Sequence, residues 1–321
     1  MLTLVLSALI PLFLMVFAGA VSYRREILPE NSATVLNGFV YYFTLPALLF
    51  GSLATTPFEE IAQVRFIGGY LGAMIGTYWL MFLFSKFIFK GHFTEDGIRA
   101  SSGSFPNSAY LGLPIMMYLY DGSRQALIAT TLAIILPIFI VIMVVATFEL
   151  HRADKSKSTL GVIGQIALSM LKTPLICASF GGAFFSFMHF ELPEFLATGL
   201  HNFGMASVPC ALFAIGILIA RQKMDLKWGN IGLVNFFKLI LHPLIAAACL
   251  ILFGVKGQEL LMGVLLAGMP TAALCCVLAE SYATCETETS ATVLVSMILY
   301  IPTMFLTLVV AESCGLPLIR G

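Results

Sequence analysis

Long apolar segments separated by short polar stretches run along the whole chain. Each is about 18 to 26 residues long, and about 20 residues are enough for an α-helix to cross the hydrocarbon core of a bilayer. The segments occupy 2–22, 32–54, 66–85, 98–119, 125–149, 173–190, 195–220, 229–254, 259–282 and 290–313. This pattern predicts an all-α membrane protein with ten transmembrane helices.

Prolines recur at matching positions in the two halves of the chain. Pro11, Pro29, Pro46, Pro106 and Pro137 are followed 163 to 165 residues later by Pro174, Pro193, Pro209, Pro270 and Pro302. The flanking residues agree as well, since LPALLF at 45–50 corresponds to VPCALF at 208–213. The spacing therefore predicts a duplicated five-helix unit.

The predicted duplication divides the chain into a first repeat at 1–150, a cytoplasmic linker at 151–172 and a second repeat at 173–321. An odd number of spans forces the second repeat to run through the membrane upside down, which gives a 5+5 inverted repeat typical of secondary transporters. Within the linker, TLGVIGQIALSML follows a charged stretch. It is either an amphipathic interfacial helix or the beginning of the sixth span.

The segment SFPNSAYLGLP at 104–114 places a proline in the middle of the fourth span. Proline lacks an N–H and clashes with the preceding turn, so the helix should break at Pro106 and, by the repeat, the ninth helix at Pro270. Irregular backbone at membrane depth is tolerated where it lines a polar cavity. Either proline alone is more typical of a simple kink, but the symmetric pair favours the other interpretation, so we predict that broken helices 4 and 9 cross at such a cavity.

The second half of each broken helix would begin near the membrane midplane. A helix N-terminus carries unsatisfied N–H groups and a partial positive charge, which suit an anion such as a carboxylate. Asn107, Ser108 and Thr271 occupy positions where N-cap side chains stand and could also donate to a ligand. With their neighbours they give the predicted substrate contacts: Ser104, Pro106, Asn107, Ser108, Pro270, Thr271, Lys238, Thr44 and Ser207.

Three ionisable residues inside the predicted spans are candidates for a function. Lys238 is about ten residues into the eighth span, roughly 15 Å deep, and His242 is one turn further on. A base at this depth is by default functional and could neutralise an anion, pair with a carboxylate or move a proton. Glu280, in the ninth span, is either a gate or proton site or an ordinary interfacial carboxylate.

Composition excludes several classes of protein. Hydrophobic residues make up 59% of the chain, charged residues 11%, and the mean hydropathy is +0.96, which excludes a soluble domain. Seventeen basic and seventeen acidic residues balance without a basic run, so nucleic acid is not an expected partner. The seven cysteines lack metal-ligand spacing and predict no metal or cofactor.

Lysine and arginine alternate between successive loops. Basic residues cluster after the odd-numbered spans, at Arg24, Arg25, Lys86, Lys90, Arg152, Lys155, Lys157, Lys172, Arg221, Lys223 and Lys227. The opposite loops offer only Arg65, Arg124 and Lys256. Because cytoplasmic loops carry the excess of basic residues, we expect both termini outside.

The sequence resembles the auxin efflux carrier family over essentially its whole length. The resemblance is carried by ALIPLFLMVFAGAVSYRR, NGFVYYFTLPALLFGSL, GSFPNSAYLGLP, NFFKLILHPL and AGMPTAALCCVLAESY. It implies a scaffold group and a transport group of helices, a crossover of helices 4 and 9, an elevator-like motion and a homodimer. It also implies a carboxylate bound beside the crossover, with Asn107 as a contact. The short loops favour a bacterial inner-membrane member.

The leading hypothesis is a secondary transporter of small organic anions such as dicarboxylates or auxin-like acids, with proton coupling, sodium coupling and no coupling all left open. A membrane receptor or sensor that binds the anion without moving it is the alternative. An intramembrane enzyme is not expected, because the five histidines form no HExxH-type motif.

Overall fold

The computed structural model describes residues 2–120, 122–137, 139–141, 143–144, 148, 174–221 and 228–316. These residues are mostly helical, and none of them forms a β-strand. The predicted all-α fold class is therefore confirmed. The predicted linker at 151–172 lies outside the described residues.

Among the described residues, the first half of the chain forms eight α-helices and two π-helical turns. They are α1 (Leu2–Arg24), α2 (Ser32–Phe39), π1 (Val40–Thr44), α3 (Leu45–Ala54), α4 (Phe58–Ile61), α5 (Val64–Ile88), α6 (Phe93–Ser104), π2 (Ser108–Gly112), α7 (Leu113–Leu119) and α8 (Arg124–Ile135). Pro11 lies inside α1 without ending it.

The second half continues the same numbering. Its helices are α9 (Pro174–Phe187), α10 (Glu194–Met205), α11 (Ser207–Arg221), α12 (Trp228–Phe236), π3 (Phe237–Leu241), α13 (His242–Leu252), α14 (Gly257–Ala267), α15 (Leu274–Ser281) and α16 (Glu286–Ser313). Pro302 lies inside α16, again without ending the helix.

Five helical stretches of the described residues are long and apolar enough to cross a membrane. They are Ser32–Ala54, Phe58–Ile88, Arg124–Val141, Trp228–Leu252 and Glu286–Ser313. Shorter apolar helices accompany them. The chain is therefore a helical membrane protein.

The three π-helical turns each lead directly into a proline. Pro46, Pro114 and Pro243 are the second residues of α3, α7 and α13, which follow π1, π2 and π3. Proline removes one helical hydrogen bond and crowds the carbonyl four residues earlier, and a wider turn relieves that crowding. The helices thus pass these prolines without breaking.

The chain divides into two compact units. The first comprises Met1–Gln63, Ala109–Thr131 and Leu171–Lys223, and the second comprises Val64–Ser108, Leu132–Met170 and Met224–Gly321. Each unit draws on both halves of the sequence. The units are thus not the two predicted repeats, and the repeat remains a prediction.

Within the first unit, glycines let helix backbones touch. A Cβ placed on Gly19 of α1 would lie 2.0 Å from the carbonyl oxygen of Phe213 in α11, and one on Gly216 would lie 1.9 Å from that of Val16. Gly182 of α9 approaches the backbone of Phe50 in the same way. Small residues permit such close packing of membrane helices.

Within the second unit, α5 packs against α6 and α13. Gly69 of α5 faces the backbone of Leu250 in α13, where an added Cβ would lie 2.9 Å from the Leu250 Cα. The buried rings of Phe66 and Tyr70 stack on the same helix, with centroids 5.5 Å apart. This framework holds the two helix interruptions described next.

Candidate substrate site at two paired helix breaks

Both predicted helix interruptions are present in the second unit. Helix α6 ends at Ser104, and helical structure resumes at Ser108. Helix α14 ends at Ala267, and helical structure resumes at Leu274. The sequence prediction that the chain breaks at Pro106 and Pro270 is therefore confirmed.

The two interruptions pair with each other through their backbones. The N–H of Asn107 donates to the carbonyl of Pro270 at 2.8 Å, and the N–H of Ala272 donates to the carbonyl of Phe105 at 2.9 Å. Pro106 and Thr271 face each other across this antiparallel bridge. In a hydrocarbon setting the freed backbone groups need such partners, because each unsatisfied group is costly.

Two hydrogen bonds of Thr271 hold the pairing in place. Its hydroxyl donates to the carbonyl of Ser102 at 2.8 Å, and its N–H donates to Ser296 Oγ at 3.0 Å. Ser102 lies in the last turn of α6, whose carbonyls have no helical partner. The side chain of Thr271 therefore closes the end of another helix.

The expectation that Thr271 stands at an N-cap is wrong. Helix α15 begins three residues later, at Leu274, and the Thr271 hydroxyl acts as a donor toward Ser102 instead of accepting from an N–H of its own helix. The tertiary contacts with Ser102 and Ser296 decide the conformation of this stretch.

The polar residues around the first break are buried. Ser104 is 0% exposed, and its hydroxyl turns back to the carbonyl of Ala100 at 2.9 Å. Asn107 immediately precedes π2, as the sequence predicted, and Ser108 lies beside the hydroxyl of Tyr70. Asn107 and Ser108 therefore lie at the start of a helical segment, the position that their predicted role as ligand contacts requires.

Lys238 and His242 form a buried pair one helical turn apart. Lys238 Nζ lies 3.0 Å from His242 Nδ1 and donates to the carbonyl of Ala267, the last residue of α14. Both side chains are completely buried. No carboxylate of the described residues lies within 4.0 Å of Lys238.

Three further residues are predicted to contribute to the site or to gating. Thr44 and Ser207 belong to the first unit, where both are buried and the Ser207 hydroxyl donates to the carbonyl of Gly204. Glu280 lies in α15, but the structure describes only its backbone and not its side chain. Their predicted roles are left as predictions.

Sequence analysis missed a charged network at the other end of α6. Arg99 donates through Nε to Glu288 Oε1 at 2.7 Å, Asn230 donates to Glu288 Oε2 at 2.9 Å, and Ser85 donates to Asp96 at 2.5 Å. The guanidinium also lies over the Phe89 ring, 5.2 Å from its centroid. The sequence offered one signal for this network, namely the charged residue Arg99 at the start of the predicted span 98–119.

The helical fold and the long apolar segments define a polytopic membrane protein. The chain belongs to the membrane transport protein family, whose model matches residues 4–308. The resemblance to auxin efflux carriers is thereby confirmed.

Known relatives align over most of the chain. A candidate malonate transporter of Rhizobium meliloti (strain 1021) is 28% identical over 309 residues, covering 96% of each chain. Auxin efflux carrier component 5 of Arabidopsis thaliana is 22% identical over 336 residues, covering 94% of each. The lysosomal cholesterol signaling protein of Mus musculus is 23% identical over 256 residues, which are 76% of this chain and 29% of that protein.

Proposed function

We propose that the protein is a secondary transporter of small organic carboxylate anions, dicarboxylates or auxin-like acids, and not an enzyme. The observation that carries this proposal is the backbone pairing of the breaks at Pro106 and Pro270. Irregular backbone at membrane depth is expected where it lines a binding cavity, and transporters place their substrate sites at such interruptions. Relatives named for malonate transport and auxin efflux support an acidic substrate.

The proposed site lies where helical structure resumes after each break. Ser108 and Leu274 begin these segments, and the first N–H groups of a helix favour an anion. Asn107 and Ser108 would contact the ligand directly, as would Lys238. Ser104, Thr271 and the two prolines would shape the site, and Thr44 and Ser207 are kept as proposed substrate contacts.

The proposed architecture is the ten-helix 5+5 inverted repeat, with helices 4 and 9 crossing at the paired breaks. The matching proline spacing supports it. We further propose a homodimer in a bacterial inner membrane, with both termini outside and an elevator-like alternation of access. Tags fused to the two termini test the orientation, because in intact spheroplasts both should be reached by a protease that does not enter the cell.

Ligand-induced thermal stabilisation tests the site. The purified protein is heated with malonate, malate, succinate, oxalate or indole-3-acetate, and a ligand that binds the folded state raises the melting temperature with concentration. Asn107→Ala and Lys238→Ala should abolish that increase, whereas Asn202→Ala, at an exposed asparagine, should retain it. An unchanged response in the first two variants would contradict the site.

A sensor that binds the anion without moving it is the second candidate function. It is favoured by the alignment with a lysosomal signaling protein. Uptake of labelled malonate into proteoliposomes separates the two functions, since a sensor binds malonate but gives no more uptake than protein-free vesicles.

A further inference from the structure

Lys238 is a buried amine whose surroundings match its neutral form. A neutral amine has two N–H donors and one lone pair. Lys238 Nζ lies within hydrogen-bond distance of the carbonyl of Ala267 and Nδ1 of His242, and these serve as its two acceptors when the imidazole proton sits on Nε2. Protonation would add a third N–H for which the described residues offer no acceptor. The geometry thus satisfies the neutral amine and leaves its lone pair available.

His242 shows the same shortage of acceptors. When Nδ1 accepts from Lys238, the ring proton must sit on Nε2. Nε2 is buried and has no hydrogen-bond partner among the described residues. A buried donor without an acceptor is costly unless something else supplies one. Two N–H groups of the pair therefore need an acceptor from a ligand: the third N–H that protonation would give Lys238, and the Nε2–H of His242.

Among the described side chains of the neighbouring helices, no charge compensates a protonated Lys238. Besides His242, the described titratable group that interacts with it is the Cys275 thiol. On the packed helices, Asp96 accepts from Ser85, Glu288 accepts from Arg99, and Glu259 stands in the first turn of α14. The remaining titratable groups facing inward are the hydroxyls of Tyr70, Tyr78 and Tyr300. Glu280 of α15 has no described side chain.

An unpaired ammonium in such a place is strongly disfavoured, and an incoming anion removes the penalty. We propose that Lys238 and His242 form a proton site that takes up one proton when the organic anion binds, so that proton and anion cross the membrane together. This inference rests on the proposed transport function. It adds the identity of the coupling ion.

The proton balance is simple. A proton from the aqueous phase on the loading side adds to the Nζ lone pair, and the new N–H faces the carboxylate. On the other side the anion leaves, and the proton returns to water because the unpaired ammonium is again disfavoured. Linkage makes the effect reciprocal, since a proton that strengthens anion binding is itself bound more tightly when the anion is present.

Proton uptake on ligand binding tests the proposal directly. The purified protein is titrated with malonate in weakly buffered detergent solution at about pH 8, where both malonate carboxyls are ionised, and a pH indicator reports proton uptake. We expect about one proton per bound malonate and, at higher pH, an affinity that falls by up to about tenfold per pH unit.

Two variants identify the group that takes the proton. In Lys238→Arg the guanidinium stays protonated at all accessible pH values, so malonate should bind with no proton uptake. Lys256→Arg makes the same change at an exposed lysine and should retain the uptake of the unaltered protein. Uptake that persists in Lys238→Arg would overturn the assignment to this pair.

The unaltered protein decides the proposal even if Lys238→Arg does not fold. Malonate binding and flux without proton uptake would overturn proton coupling and leave the transport function standing. If neither malonate nor any of the other acids binds or is transported, the proposed function fails, and the coupling proposal fails with it. If the interior of proteoliposomes loaded with a pH dye becomes more acidic after malonate is added outside, that result would support proton coupling.

Discussion

The hydroxyl of Thr271 donates to the carbonyl of Ser102 at 2.8 Å and thereby joins the break after α14 to the last turn of α6, across 169 positions of the sequence. Both groups are buried. The bond lies beside the backbone bridge between Pro106 and Thr271, so the side chain and the main chain of one residue fix the same junction.

Replacing Thr271 by valine should destabilise the protein by about 1–2 kcal/mol, because the Ser102 carbonyl then loses its partner in a buried setting. The change keeps the shape of the side chain, so packing should be nearly preserved. Thermal unfolding in detergent measures the effect. Thr271→Ser retains the hydroxyl and should lie closer to the unaltered protein. Equal stability of all three proteins would contradict the assignment.

Arg99 and Glu288 form the shortest ion pair of the described residues, with side chains only 8% and 12% exposed. Arg99→Lys should cost about 3 kcal/mol, because lysine cannot reproduce the two-pronged contact and the glutamate is left short of a partner. The matched control is Arg124→Lys, at an exposed pair with Glu60, which should change stability by less than about 0.5 kcal/mol. Similar effects at the two sites would contradict this prediction.

Gly216 should not tolerate a methyl group. A Cβ there would lie 1.9 Å from the carbonyl oxygen of Val16, so Gly216→Ala must push α1 and α11 apart and should cost about 3 kcal/mol or more. Gly199 of α10 has open space around its Cβ position, and Gly199→Ala should stabilise its helix by about 0.5–1 kcal/mol. Thermal unfolding of both variants tests whether the two changes in stability have opposite signs.

Cys285 lies between α15 and α16, and burial raises the pKa of its thiol to about 11, although the neighbouring Arg99 acts in the opposite direction. Only about 0.1% of the thiol is ionised at pH 8, and that fraction grows about tenfold per pH unit up to the pKa. Alkylation at this position should therefore be slow at pH 8 and accelerate steeply by pH 10. Peptide mass spectrometry resolves it from Cys314, which is exposed and should be labelled first.

The helix breaks were predictable because their cause is local. Pro106 and Pro270 cannot donate a helical hydrogen bond, and their matched spacing showed that the two interruptions belong together. The position of Lys238 well inside a helical stretch was equally accessible, since counting residues along the apolar segment gives it. Local chemistry and periodicity were enough for these features.

The partners of the polar groups were not predictable from the sequence. Nothing near Lys238 in the sequence indicates that its amine would meet the carbonyl of Ala267, and Arg99 meets Glu288 across 189 positions. The N-cap expected at Thr271 failed for the same reason. Its hydroxyl and its N–H were taken by tertiary partners, which outweigh a local preference that is worth about 1 kcal/mol.

A π-helical turn contains one residue more than the α-helical turn it replaces, and one residue corresponds to a rotation of about 100° around the helix axis. Side chains before and after π1, π2 and π3 therefore follow different angular phases along what reads as a single apolar segment. A one-residue gap that aligns with any of these turns in a relative would therefore mean that the π-helical turn is replaced by an α-helical one inside the membrane. The helix faces on both sides of the turn would be preserved, and no loop would be shortened.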